Sequence, residues 1–249
     1  MGETMTEKTY IKGKDSDLES SISTMQAKLK SFGFDIEEAS WLNPVSNVYS
    51  VHIRDKSCPL MFTNGKGSSE KACLASALGE YFERLSCNYF FADFYLGDKH
   101  SANEFVHYPN ERWFDAAGDE MPEGLMDASL WAHFDPNNEL TPTMLFDINS
   151  GTGERGICAA PYQRVRDGKA VYIPINVIGN IFVSNGMSAG NTKNEARVQG
   201  LSEVFERYVK NKIIAEAICL PEVPAEVIAR FPKIEQALNE LESHGYALR

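Results

Sequence analysis

The chain has 249 residues, a formal net charge of −11 and 43% hydrophobic residues. This hydrophobic content is sufficient for a buried core and excludes a wholly disordered protein, while the acidic balance argues against broad binding to nucleic acid or to anionic membranes. The amino terminus lacks the apolar core of a signal peptide, and the most apolar later stretch, 171–183, is too interrupted to span a bilayer. The five cysteines form no CxxC pair, so we expect a reduced, cytoplasmic protein without a zinc site.

The first predicted element is a helix that begins near Ser16 and ends at Gly33. Ser16 and Glu19 have the spacing of a capping box, apolar residues recur with helical periodicity, and glycine is a common helix stop. Two strand-like runs follow, at 47–53 and 59–63. The short polar segment between them predicts a β-hairpin.

A glycine-rich loop at residues 64–69 leads into a helix that we expect to continue to about residue 91. The next segment, 93–142, is acidic and rich in proline, asparagine and aspartate. Such an irregular segment is typical of an excursion from the core or of a lid over a site. A strand is expected at 143–148.

A second hairpin is predicted from the runs 162–166 and 170–174, which flank an Asp-Gly turn. A second glycine-rich loop, 184–191, follows this hairpin. A long helix is then expected from about residue 192 to residue 217.

Two shorter helices are predicted near the end of the chain, at 224–230 and 234–244. The last residues have the pattern of a strand that has only begun. We therefore expect residues 1–249 to be the amino-terminal, ATP-binding portion of a longer domain, with an irregular insert at 93–142 and a truncation after the last residue.

The two halves of the chain repeat one pattern. Residues 80–84 read EYFER and residues 203–207 read EVFER, and each motif follows a hairpin, a glycine-rich loop and the start of a helix. An internal repeat of this kind predicts an α+β fold with two pseudo-symmetric sheet–helix units that face one another. A site between the two units would be lined twice by the same chemistry.

Five carboxylates of the two repeated helices are candidates for one acidic site. The first of these helices is apolar or small on nearly every face, which is typical of a buried helix. Buried carboxylates need partners, and like charges that converge are relieved by a cation. Because no His or Cys accompanies them, the preferred ion is Mg²⁺ or Mn²⁺. The candidates are Glu80, Glu83, Glu195, Glu203 and Glu206.

The glycine-rich loops would supply the complementary half of a nucleotide site. Backbone N–H groups at the start of a helix bind phosphate, and Lys14 and Lys66 would add positive charge. The alternative for each loop is an ordinary capped connection, and the alternative for each ExxER motif is an exposed i,i+4 ion pair. The occurrence of both features twice favours a Mg²⁺–nucleotide site, although no P-loop motif is present.

These motifs resemble the ATP-binding signature of the YcaO family, and of its stand-alone members in particular. The resemblance rests on NGKG at 64–67, ALGEYFER at 77–84, SAGNT at 188–192 and EVFER at 203–207. It extends from about Tyr10 to the end of the chain. The resemblance implies a YcaO-like α+β fold and an ATP site in which acidic helices hold Mg²⁺ against the triphosphate, so ATP and Mg²⁺ are the expected cofactors.

The resemblance also implies roles for individual residues. Glu80, Glu83, Glu203 and Glu206 would be Mg²⁺ ligands, with Glu195 beside them. No residue is implied as a general base. The residues expected to contact the nucleotide or the metal, or to brace the carboxylates and phosphates, are Lys14, Ser21, Lys66, Arg84, Ser188, Asn191, Gln199 and Arg207.

Characterised members of the family activate a backbone amide, whose oxygen attacks the γ-phosphate of ATP. Stand-alone members are linked instead to β-methylthiolation of a ribosomal protein, as accessory factors. The resemblance therefore implies a peptide or ribosomal-protein substrate and a methylthiotransferase partner, without direct contact with nucleic acid or a membrane. The whole protein would be an ATP-hydrolysing, amide-activating enzyme, and we expect this chain to be inactive alone.

Two other hypotheses stay open at this point. In the first, the chain is a non-enzymatic accessory module that binds nucleotide or a partner protein. In the second, it is a structural repeat whose glutamates form only salt bridges. A homodimer is left open as well, because enzymes of this size are commonly symmetric dimers.

Overall fold

The structure is a computed structural model, and it describes residues 8–87, 89, 110–147, 150, 153 and 155–247. The chain divides into two compact units. One comprises Met1–Glu83 together with Gly186–Arg249, and the other comprises Arg84–Asn185. Within the described ranges, every helix falls short of the length and apolarity that a membrane span requires.

The first unit contains a three-stranded antiparallel sheet in the order β1–β2–β3. The strands are β1 (Ile36–Val45), β2 (Val48–Asp55) and β3 (Phe62–Gly67). Val51 and Ile53 of β2 are fully buried, in the period-two pattern of a strand with one covered face. The predicted hairpin is confirmed, but β1 was not predicted, because its apolar residues do not alternate regularly with polar ones and most of the strand is exposed.

The first glycine-rich segment is a strand rather than a loop, contrary to the prediction. Residues 64–67 belong to β3 and pair with β2. A Cβ atom at Gly65 would overlap the carbonyl oxygen of Cys73 and lie 2.8 Å from Cβ of Ala77. Glycine is therefore required here by the close approach of the strand to the following helix.

Helix α1 (Leu18–Ser31) begins two residues after the predicted cap. Its N-cap is Asp17, whose carboxylate accepts a hydrogen bond from the backbone N–H of Ser20 at 2.8 Å. The assignment of Ser16 as the cap is thus wrong. Both are favoured cap residues, so the spacing to Glu19 alone could not decide between them.

Helix α2 (Glu70–Ser86) buries its apolar face, but the burial on nearly every face that its composition predicted is not found, because Glu80 and Glu83 are only half-buried. Ala77, Leu78 and Tyr81 are fully buried. The predicted extension of this helix to residue 91 lies mostly outside the described residues.

Three helices complete the first unit and confirm three predicted elements. They are α4 (Lys193–Ala215), α5 (Ala225–Ile228) and α6 (Pro232–Ser243). Helix α6 is tied to the β1–β2 turn, because the carboxylate of Glu240 accepts a hydrogen bond from the backbone N–H of Ser46 at 2.6 Å. Residues 245–247 form no strand, in contrast to the prediction.

The second unit contains another three-stranded antiparallel sheet, in the order β4–β5–β6. Its strands are β4 (Arg112–Phe114), β5 (Ile157–Gln163) and β6 (Ala170–Pro174). The predicted second hairpin is therefore confirmed, and β5 begins earlier than the sequence indicated. Helix α3 (Ala128–Phe134) also belongs to this unit. The core of the unit is formed by Phe114, Leu125, Leu145, Ile157, Ala159 and Val177.

Two predictions for the second unit need comment. Residues 142–145, where a strand was expected to start, form a 3-10 turn that opens with a proline. The predicted insert, 93–142, lies partly outside the described residues, and its described part supplies β4, α3 and the buried side chains of Phe114 and Leu125. This part of the insert is therefore a component of the core.

The α+β fold class is confirmed. The units differ from the two sheet–helix repeats that were expected, because the β5–β6 hairpin belongs to the second unit whereas α4 belongs to the first. The sequence repeat thus does not coincide with the division of the chain into compact units.

Candidate functional site

Four predicted site residues form a polar cluster at the start of α4, namely Lys14, Ser21, Asn191 and Glu195. The Ser21 hydroxyl donates a hydrogen bond to Oδ1 of Asn191 at 2.8 Å. Nδ2 of Asn191 donates to the Glu195 carboxylate at 3.0 Å, and Nζ of Lys14 lies 3.1 Å from the same carboxylate. The cluster thus connects α1 and the turn before it with the second glycine-rich loop and α4.

Local signals at the start of α4 position this cluster. Thr192 is the N-cap, and its hydroxyl oxygen accepts a hydrogen bond from the backbone N–H of Glu195 at 3.2 Å. Ser188 donates its hydroxyl to the carbonyl oxygen of Ala196 at 2.6 Å. A Cβ atom at Gly190 would lie 2.5 Å from the nitrogen of Ala196, so the loop approaches the helix as closely as glycine allows.

Glu195 is a buried carboxylate with a full set of donors. Only 8% of the residue is exposed, and its carboxylate accepts hydrogen bonds from the backbone N–H of Asp15, from Asn191 and from Lys14. Burial would raise the pKa of Glu195, but these hydrogen bonds and the positive charge of Lys14 outweigh it, and the pKa is lowered. Glu195 is therefore ionised at neutral pH. The Lys14 side chain is 39% exposed, so solvent reaches part of it while its ammonium group pairs with Glu195.

The second ExxER motif has one braced and one exposed glutamate. Glu203 accepts hydrogen bonds from Nη2 of Arg207 and from the backbone N–H of Gly186, both at 3.2 Å. Glu203 and Arg207 thus form an i,i+4 ion pair, a contact that is expected both for a bracing arginine and for an ordinary ion pair on a helix. Glu206 and Gln199 are exposed.

The first ExxER motif lies on α2. Glu80 and Glu83 are half-buried. The guanidinium of Arg84 stacks over the ring of Tyr89, 4.4 Å from its centroid. Lys66 is exposed on β3.

The described residues contain no group of three or more His, Cys, Asp or Glu side chains arranged to hold a metal ion. The expected convergence of five carboxylates is therefore not found in this part of the chain. Mg²⁺ is usually held by one or two carboxylates, water and substrate phosphates, so a three-carboxylate cage is not required. The glutamates of α2 and α4, with the polar cluster beside the latter, have the oxygen-donor chemistry that such a phosphate-linked ion needs.

Sequence reasoning missed two residues of this site, Asp15 and Thr192. The Thr192 hydroxyl donates a hydrogen bond to the Asp15 carboxylate. The spacing of Thr192 and Glu195 is that of a capping box and could have identified the threonine. No local signal marks Asp15, because its partners lie far away in the sequence.

The second unit contains a cleft of about 450 Å³ with none of the predicted site residues in its lining. The guanidinium of Arg155 stacks over the ring of Trp113 at 3.9 Å from its centroid. Gly153 and Gly156 both have positive φ angles and line the same cleft.

Comparison with a family profile gives a match over most of the chain. The profile described as YcaO cyclodehydratase, ATP- and Mg²⁺-binding, matches residues 64–249. The match supports ATP and Mg²⁺ as the cofactors of this family, as the sequence predicted.

Two curated relatives are similar over almost the whole chain. The chain is 64% identical over 241 residues to the ribosomal protein S12 methylthiotransferase accessory factor YcaO of Escherichia coli K12. It is 63% identical over 245 residues to an uncharacterized protein of Haemophilus influenzae Rd. These matches cover 96% and 98% of the chain but only 41% and 42% of the relatives. The chain thus spans about two fifths of the length of the relatives that it matches.

Among solved structures, the chain is similar to YcaO from Methanopyrus kandleri bound with AMPPCP and Mg²⁺. The TM-score is 0.54 at 19% sequence identity, and the match covers 88% of this chain and 51% of the other. At this identity the similarity establishes the fold.

Proposed function

Because the chain belongs to the YcaO family, we propose that it forms part of the Mg²⁺·ATP site of a protein that activates a backbone amide by phosphorylation. We propose further that this protein acts in, or assists, the modification of a ribosomal protein. The observation that carries the proposal is the polar cluster, in which a buried, ionised Glu195 holds Lys14 at the start of a long helix.

The residues of the polar cluster suit the phosphate end of a nucleotide. Lys14 offers a partly exposed, positively charged side chain, and Ser21 and Asn191 offer short polar side chains beside it. The amino-terminal end of α4 adds the positive end of a helix dipole, which favours an anion. Ser188 and Gln199 would complete the nucleotide side.

The ExxER glutamates would hold the metal. We propose Glu80, Glu83, Glu203 and Glu206 as Mg²⁺ ligands, with Glu195 beside them, and because one Mg²⁺ usually takes one or two carboxylates, they would serve more than one ion. When bound, Mg²⁺ neutralises negative charge on the phosphates, which is the main requirement of phosphoryl transfer. Arg207 would keep Glu203 in place through their ion pair, and Arg84 would have the same role in the first motif.

The substrate and partner follow from the similarity to the Escherichia coli accessory factor. Its name links it to the methylthiotransferase of ribosomal protein S12. For this chain we propose a ribosomal protein or peptide as the substrate and a methylthiotransferase as the partner. This function implies a cytoplasmic protein.

A second candidate function is a non-enzymatic accessory module that binds nucleotide. The name of the same relative, which describes it as an accessory factor, favours this candidate. Both candidates require nucleotide binding, and they differ in whether the γ-phosphoryl group of ATP reaches a backbone amide.

Nucleotide binding is tested by calorimetric titration of the full-length protein with Mg·ATP. Because Glu206 is exposed, Glu206→Gln should leave the fold intact and weaken binding by about tenfold or more, the loss expected for one charge-assisted contact. Glu226→Gln removes an exposed carboxylate of α5 and is the matched control. Equal affinities for wild type, Glu80→Gln and Glu206→Gln would contradict the assignment and favour a purely structural repeat.

Enzymatic function is tested by release of phosphate from ATP. The full-length protein is incubated with Mg·ATP, with and without the ribosomal-protein substrate and the methylthiotransferase. Release that depends on the substrate supports amide activation. Tight Mg·ATP binding without such release supports the accessory module.

A further inference from the structure

We propose that Asp15 is a positioning residue of the nucleotide site, and that Asp15 and Thr192 form a clasp that holds Lys14 against Glu195. The inference rests on the proposed function, because it assigns to the clasp the task of ordering the phosphate-binding side of the site. Asp15 lies outside the motifs that carry the family resemblance, and Thr192 is the last residue of one of them, SAGNT at 188–192, where the resemblance gives it no role.

The clasp consists of two hydrogen bonds between the turn before α1 and the first turn of α4. The Thr192 hydroxyl donates to the Asp15 carboxylate, and the backbone N–H of Asp15 donates to the Glu195 carboxylate at 3.1 Å. The same hydroxyl accepts the capping hydrogen bond from the backbone of Glu195 at 3.2 Å. A hydroxyl has one hydrogen to donate and lone pairs to accept, so Thr192 serves both functions at once.

The clasp fixes the position of Lys14 because Lys14 is adjacent to Asp15 in the chain. Gly13, with φ of +87°, makes the turn that brings both residues to α4. Residues 11–15 are exposed, and the backbone N–H of Lys14 donates to the carbonyl oxygen of Ile11 at 3.1 Å, so the clasp ties a turn with its own hydrogen bond to α4. With the clasp formed, the Lys14 ammonium lies 3.1 Å from the Glu195 carboxylate, and the Lys14 side chain is partly exposed.

The chemistry of the N-cap allows capping and clasping to be separated. Aspartate caps a helix about as well as threonine does, but an ionised carboxylate has no hydrogen to donate. Thr192→Asp therefore keeps the cap but places the new carboxylate next to the Asp15 carboxylate, and the two negative charges repel each other. Adding Asp15→Asn restores a donor, because the asparagine amide can donate to the new carboxylate.

The test is calorimetric titration of the full-length protein with Mg·ATP, together with the thermal unfolding midpoint of each variant. Thr192→Asp should raise Kd about tenfold, whereas Thr192→Ser should bind like wild type. The double variant Asp15→Asn/Thr192→Asp should return Kd to within about threefold of wild type. Thr141→Asp, an exposed threonine that precedes the 3-10 turn without a capping hydrogen bond, is the control and should leave Kd unchanged.

The outcomes separate this inference from the proposed function. Wild-type binding with an unchanged Kd for Thr192→Asp would overturn the clasp and leave the nucleotide site standing. No binding by wild type would overturn both. A third outcome is that Kd rises only in variants whose unfolding midpoint falls, and that the double variant does not regain wild-type Kd. This outcome would assign Asp15 and Thr192 a merely structural role. If Thr192→Asp does not fold, Asp15→Ala removes the exposed acceptor and leaves the cap intact, and an unchanged Kd would again overturn the clasp.

Discussion

Helices α2 and α4 carry the same ExxER motif in very different surroundings. Leu78 of α2 is fully buried, whereas Leu201, at the corresponding position of α4, is 59% exposed. The same holds one turn further along, where Tyr81 is fully buried and Val204 is half exposed. Equal motifs therefore do not imply equal packing.

The two helices are also anchored in different ways. The amino-terminal half of α2 packs on β3 so closely that Gly65 cannot carry a side chain. Helix α4 is held at its first turn by the buried Glu195 and by the clasp. The comparison teaches that a core can position one copy of a motif while hydrogen bonds position the other.

The largest expected effect is the difference between two identical substitutions. Leu78→Ala removes a fully buried side chain and should lower the free energy of unfolding by about 2–5 kcal/mol. Leu201→Ala, at the matching exposed position, should change it by about 0.5 kcal/mol or less. Urea denaturation of both variants measures the difference, and equal losses would show that α4 is buried in the protein as α2 is.

A smaller effect is expected at the next matched pair of positions, Gly79 and Ser202. A Cβ atom at Gly79 meets no atom within 4 Å, so Gly79→Ala should stabilise the protein by about 1 kcal/mol through helix propensity. Ser202 bonds to the carbonyl oxygen of Val198 in the preceding turn, and Ser202→Ala should stabilise by about 0.5 kcal/mol at most. Urea midpoints measure both changes. Destabilisation by Gly79→Ala would mean that another part of the protein packs against α2 at Gly79 and leaves no room for a side chain.

The smallest effect concerns the exposed ion pair that ties α2 to α1. Hydrogen bonds from Lys71 and from the backbone and side chain of Thr9 lower the pKa of Glu19 from 4.5 to about 2. Because the pKa in the folded state lies below that in the unfolded state, Glu19 stabilises the protein above pH 4.5, and this contribution disappears as the pH falls towards 2.

Urea midpoints of wild type and of Glu19→Gln, measured across this range, test the prediction. The two proteins should differ at neutral pH and converge near pH 2. The difference should shrink at high salt, because the Lys71 pair is exposed. A difference that does not depend on pH would contradict the assignment.

Elements with strong local signals were predictable from the sequence. The cap Thr192, the run of helix-forming residues after it and the Asp-Gly turn of the second hairpin each determine local structure through nearby residues. The helix assignments for α2, α4 and α6 followed from the same kind of signal. The YcaO resemblance then identified Lys14, Ser21, Asn191 and Glu195, which the structure brings together.

Features that depend on distant contacts could not be predicted. Strand β1 forms by pairing with β2 although it is mostly exposed. Residues 64–67 were predicted as a loop because a high glycine content is typical both of loops and of strands that lie close to a helix. The apolar run at 143–148 suggested a strand, but Pro142 favours the start of a helical turn. The Asp15–Thr192 contact left no trace in local sequence.

The discontinuous first unit has a consequence for synthesis of the protein. The second unit is a single stretch of chain, Arg84–Asn185, enclosed in sequence by the two parts of the first. Because domains generally fold as units while the chain emerges from the ribosome, we expect the internal unit to mature earlier. The first unit cannot be completed until α4 and α6 have been translated. Its sheet, β1–β2–β3, is made early and therefore remains in an incompletely folded unit, which chaperones can bind, for longer than the sheet of the second unit.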